Sequence, residues 1–152
     1  MTKYLLDTNI CISLIKNRYG LREKIERIGE YNCAVSEITI AELFYGAAKS
    51  GKIKHYHDVT NIIELFDVVP IYSSLKLFGQ LKATLEKQGQ RLDNFDLMIG
   101  ATAIHHKMIT VSSNKKHFER IPGIILEDWC EHNDFPILLN EAEVEYHTKS
   151  NK

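Results

Sequence analysis

The feature that most constrains this chain is an alternation. Short apolar runs rich in β-forming residues are followed by longer segments whose apolar residues recur every three or four positions. That pattern predicts an α/β domain with a mostly parallel central sheet. Tyr4-Leu5-Leu6 reads as the first strand, and Ile10, Cys11, Leu14 and Ile15 then fall at helical spacing, followed by a short helix through Leu21, Ile25 and Ile28. Cys33-Ala34-Val35 is the second strand. It leads through Ser36 into a helix expected to place Ile40, Leu43, Phe44 and Ala47 on one buried face. Residues 56 to 66 read as helix, and Val68-Val69-Pro70-Ile71 as a strand that its proline ends or confines to an edge. A long amphipathic helix over 74–87 is stopped by Gly89, and another spans 94–106. Met108-Ile109-Thr110-Val111, a short helix near 116–118 and a last strand, Ile124-Ile125-Leu126, complete the series.

With 152 residues, 44% of them hydrophobic and 26% charged, the chain suits one globular domain with a continuous core. No apolar run approaches the roughly 20 residues needed to cross a bilayer. The first acid arrives too early for a secretory leader, so a cytoplasmic protein is expected. Cys11, Cys33 and Cys130 show neither a disulfide pattern nor zinc-ligand spacing and read as incidental thiols. The seven histidines form no ligand motif either. A net charge of -1 hides an uneven distribution, because seven acids and two lysines lie from Glu127 onward. The remainder is basic, with clusters at 16–27, 49–54 and 115–120, which admits a polyanionic partner.

Three acids draw attention. Asp7 directly follows the first strand, at the carboxyl end where open α/β sheets bind ligands, although Asp-Thr-Asn is also how a helix N-cap reads. Glu42 lies one turn into a helix, and Thr39-Ile40-Ala41-Glu42 fits a capping box equally well. Asp96 stands in the first turn of the helix opened by Asp93-Asn94, where an acid complements the helix dipole. Each acid has an ordinary explanation by itself. Together, on parallel strands, the three carboxylates can converge at one end of the sheet. Crowded carboxylates raise one another's pKa unless a cation sits among them, and oxygen-only ligands suit Mg²⁺ or Mn²⁺.

Four stretches carry a resemblance: Leu5-Leu6-Asp7-Thr8-Asn9, the segment 36–46 around Glu42, Asn94-Phe95-Asp96-Leu97-Met98-Ile99-Gly100-Ala101, and the segment 114–129. In order and spacing they resemble the PIN-domain ribonucleases, most closely the VapC-type toxins of toxin-antitoxin pairs. The resemblance implies a three-layer α/β/α sandwich over residues 1–129, Mg²⁺- or Mn²⁺-dependent RNA cleavage, a homodimer and a cognate VapB-type antitoxin. It puts Asp7, Glu42 and Asp96 in the catalytic positions, with Asp7 and Asp96 as metal ligands. Thr8, Asn9, Ser112 and Asn114 match supporting polar positions. Many members carry a fourth acid where this chain has Asn114, which removes one negative charge and favours one firmly held ion. It also leaves open a catalytically weak PIN-like module that binds RNA or a protein partner. Lys115, Lys116 and Arg120 follow Asn114 closely and are candidate contacts to an RNA backbone. Residues 130–152 depart from the family as an acidic extension, expected to be partly disordered despite its Phe135-Pro136-Ile137-Leu138-Leu139 run.

Overall fold

The computed structural model describes residues 3–131, so the expectations for the extension from residue 132 onward lie outside the described residues. Five strands form one sheet: β1 (Tyr4–Leu6), β2 (Cys33–Ser36), β3 (Asp67–Val69), β4 (Ile109–Val111) and β5 (Leu126–Glu127). Their order is β3-β2-β1-β4-β5, and every pair is parallel. The first strand made is therefore the middle one. Pro70 follows β3 directly, on an edge, where its missing N–H interrupts no ladder.

Side chains alternate across a strand, so β1 feeds two cores. Leu6 is in register with Val35 and Val111, and the three share one cluster with residues of α1 (Thr8–Ile15), α2 (Leu21–Ile28) and α4 (Ile53–Leu65). Leu5 and its neighbour Ala34 join the opposite cluster, with residues of α5 (Leu75–Lys87) and α6 (Asn94–His105). α3 (Glu37–Ser50) contributes to both clusters, Leu43 and Ala47 to the first and Ile38 to the second. The short α7 (Lys115–Phe118) anchors through the buried Phe118. The result is a three-layer α/β/α sandwich, and among the described residues no helix is long and apolar enough to cross a membrane.

Three expectations shift. The buried stripe of α3 is Ile38, Thr39, Leu43 and Ala47, whereas Phe44 is 41% exposed and rests beside Tyr56 with ring centroids 6.4 Å apart. The face that packs into the two cores runs through Ile38, Leu43 and Ala47, and Phe44 lies past its edge; Ser36 caps the helix by accepting from Ile38 N at 3.0 Å. The last strand lies at Leu126–Glu127 rather than at residues 124–126, because Gly123, with φ 85, turns the chain just before it and Ile125 is left 61% exposed. Finally, α4 begins at Ile53, a turn earlier than the apolar spacing indicated.

Beyond β5 the chain folds back so that Trp129, 2% exposed, joins the first core, 5.1 Å from the Tyr4 ring and with Lys24 Nζ 5.2 Å from its own. Truncating such a residue leaves a large cavity. Trp129→Ala should lower unfolding stability by about 3–5 kcal/mol, read from urea denaturation followed by far-ultraviolet circular dichroism; a change under about 1 kcal/mol would show that the core ends before this residue.

Candidate active site

Asp7 stands where the order of strand addition reverses. From β1 the chain builds β2 and β3 on one side and then returns to lay β4 and β5 on the other, leaving a crevice at the carboxyl ends of β1 and β4. Asp7 N extends the β1–β4 ladder by donating to Val111 O at 3.0 Å. Its side chain is the N-cap of α1, with Oδ1 accepting from Ile10 N at 2.9 Å, so the capping reading is correct as well. Oδ2 accepts a short hydrogen bond from the hydroxyl of Ser112, the residue after β4. Ser112 Oγ in turn accepts from Asn114 N at 2.9 Å. Asp7 is 4% exposed and Ser112 fully buried.

Glu42 is not part of a capping box. Ser36 already caps α3, and the Glu42 side chain reaches across to α1, where Thr8 Oγ1 donates to its Oε1 at 2.6 Å. Thr8 Oγ1 is also 3.2 Å from Thr39 Oγ1, a hydroxyl buried beneath the pair. Thr39 thus belongs to the support of the site, a role hidden in the sequence by its resemblance to a cap.

Asp96 lies in the first turn of α6, its backbone N held at 3.2 Å by the N-cap carboxylate of Asp93. His117 Nδ1 is 3.8 Å from Asp96 Oδ2 and 2.9 Å from Asn114 Nδ2. No ligand spacing marks His117 in the sequence, because its neighbour lies on another helix. Asn9 is exposed on the first turn of α1. Lys115 Nζ meets Glu131 Oε1 at 2.5 Å, while Lys116 and Arg120 are exposed on and just after α7.

The electrostatics show that the three acids share one field. Burial pushes the Asp7 carboxyl up to about 6; the hydrogen bonds from Ser112 and Ile10 N oppose the rise, and the charges of Asp96 and Glu42 add to it. Burial raises Glu42 too, with Asp96 and Asp93 adding and Thr8 opposing. Asp96 is raised by burial and by Asp93, against the lowering influence of His117. Among the described residues no three such side chains already close into a metal cage. The donor set nevertheless fits a hard divalent cation. It is all oxygen, largely withdrawn from water, and mutually repelling until a positive charge enters. Asp7 and Asp96 would hold such an ion, with Glu42 beside them.

The chain has clear relatives. The family described as PIN domain matches residues 4–124. A tRNA(fMet)-specific endonuclease VapC of Salmonella typhimurium is 37% identical over 133 residues, covering 86% of this chain and 100% of the relative. Ribonuclease VapC2 of Haemophilus influenzae is 37% identical over 138 residues, or 85% of this chain and 99% of the relative. Among solved structures, DNA-bound VapBC from Salmonella typhimurium superposes with a TM-score of 0.78 at 34% identity, covering 86% of this chain and 100% of that one.

A buried acid with a raised pKa makes a signed prediction. Between the ordinary aspartate value and about 6, the folded state holds a proton at Asp7 that the unfolded state has released, so its contribution to stability declines as pH rises through that window. Above it, the ionised carboxylate costs about 2–3 kcal/mol in the metal-free protein. Asp7→Asn should therefore raise metal-free stability at about pH 7.5 and lose that advantage near about pH 4. Urea denaturation in a chelating buffer at the two pH values checks both the sign and its disappearance.

Proposed function

The chain belongs to the PIN-domain family, and from that premise we propose that it is a divalent-metal-dependent ribonuclease, the toxin of a toxin-antitoxin pair. The observation that carries the reading is the electrostatic coupling of Asp7, the N-cap of α1, with Glu42 in the second turn of α3 and Asp96 in the first turn of α6. The names of the curated relatives support RNA as substrate, and the VapBC complex supports an antitoxin partner. Homodimerisation, a cytoplasmic location and Mg²⁺ or Mn²⁺ as the ion are part of the same proposal.

Asp7 and Asp96 would hold the ion, which would supply Lewis-acid activation of the phosphodiester and offset the acids' mutual repulsion. The protein's own groups do the positioning. Ser112 and Ile10 N leave the Asp7 carboxylate one orientation, since each of its oxygens is already held. Thr8 occupies Glu42 Oε1, and Oε2 is the oxygen that takes a proton from the attacking water. Asn114 supports Ser112 through its backbone N–H and touches His117 through its amide. The exposed Lys116 and Arg120 extend the site as phosphate contacts that give affinity without sequence choice.

Purified protein incubated with total cellular RNA should cleave it when Mg²⁺ or Mn²⁺ is supplied and stop on chelation. Asp96→Asn should lose at least about 100-fold in kcat, and Thr8→Val about 10- to 100-fold, because Glu42 loses its orienting partner. Cleavage that survives chelation, or that Asp96→Asn leaves intact, would sink the mechanism. Expression in cells without the antitoxin should arrest growth, and the Asp96→Asn form should not.

A further inference from the structure

A cavity of about 410 Å³ opens beside the acids without being lined by any of the three. It lies between α5 and α6 and is closed at one end by their connecting loop, which Gly89 turns at φ 71. Half-buried Leu92 gives the cavity a small exposed apolar patch, backed by the buried Leu85 and Leu97. Gln90 and Asn94 add two amides to its wall. Asp93 joins it to the acid cluster: the carboxylate lines the cavity, accepts from Asp96 N at 3.2 Å and raises the pKa of both Asp96 and Glu42.

These features restrict the occupant. The volume is that of a small-molecule site, typically about 300–1,000 Å³, and holds one nucleoside rather than a helix. Lys82 and Arg91 are balanced by Glu86 and Asp93, so the cavity has no excess positive charge with which to hold a phosphate. A largely polar wall with amides that each donate and accept, beside one apolar patch, suits a flat heterocycle with polar edges. We propose that this cavity is a base subsite, taking one unstacked nucleobase of single-stranded RNA adjacent to the phosphodiester that lies over Asp7 and Asp96. The subsite rests on the ribonuclease reading above. Gln90 and Asn94 read the edge of the base, and Leu92 takes its face. Helical RNA is a poor substrate on this account, since its bases are paired and stacked.

The test is an abasic scan with the full chain. An oligoribonucleotide spanning a mapped cleavage site is made with the base removed at one position at a time, and binding by fluorescence anisotropy is measured beside cleavage. One position flanking the cut should show about tenfold weaker binding when its base is missing. In Asn94→Ala and Gln90→Ala that penalty should shrink to within about twofold, because base and amide act as a pair. Leu92→Trp, which fills the cavity, should bind the intact oligonucleotide as weakly as wild type binds the abasic one, with an unchanged circular dichroism spectrum. A flat scan, or a penalty equal in wild type and both amide variants, overturns the subsite while cleavage still upholds the ribonuclease reading. RNA neither bound nor cut by any form overturns that reading and the subsite with it.

Discussion

The structure is organised around the four hydrogen bonds of Asp7. Its backbone N–H joins β1 to β4, its carbonyl accepts from Cys11 N at 3.2 Å in the first turn of α1, and its carboxylate oxygens hold Ile10 N and the Ser112 hydroxyl. One residue thus ends the central strand, starts the first helix and ties the two halves of the sheet at the point where strand order reverses. A buried charge is tolerable only with such partners, and those partners are what aim it. The capping and catalytic readings of Asp7 are therefore two descriptions of one arrangement.

The same economy of position applies to the other acids. Glu42 is reached by Thr8, the residue after Asp7, so α1 and α3 are linked through the site rather than by core contacts alone. Asp96 begins α6 beneath the Asp93 cap, and α7 brings His117 to it. Burial and like charge raise all three carboxyls, which stores unfavourable electrostatics in the metal-free fold that a cation relieves. Asn114 is uncharged and adds nothing to that burden. Its amide meets His117 and its N–H meets Ser112, both structural contacts that need no charge.

The core thiols fit this account of a fold that keeps reactive groups neutral. Cys11 and Cys33 are buried in the first cluster, and burial raises the pKa of both. Cys130 is also raised, to about 11, by partial burial first and by Asp128 and Asp7 after it. Lys115 pairs with Glu131 just beyond it, tying α7 to the chain that leaves β5.

Apolar spacing determined the order and kind of every element, because a buried helix face or strand needs a local period that sequence displays directly. Local pattern also drew attention to the three acids, Asp7 and Asp96 at helix starts and Glu42 inside α3. What only the tertiary structure decided was direction and partnership. Phe44 matched the helical period of α3 yet is 41% exposed, since the packed stripe runs through Ile38, Leu43 and Ala47 beside it. Glu42 fitted a cap by spacing, but its partner is 34 residues away on α1. Thr39, Asp93 and His117 entered the site through contacts between elements, and the cavity between α5 and α6 exists only once those helices pack. Local sequence encodes periodicity and capping; which carboxylates share a field depends on parallel strands ending side by side, a relation between distant residues that no single stretch of chain contains.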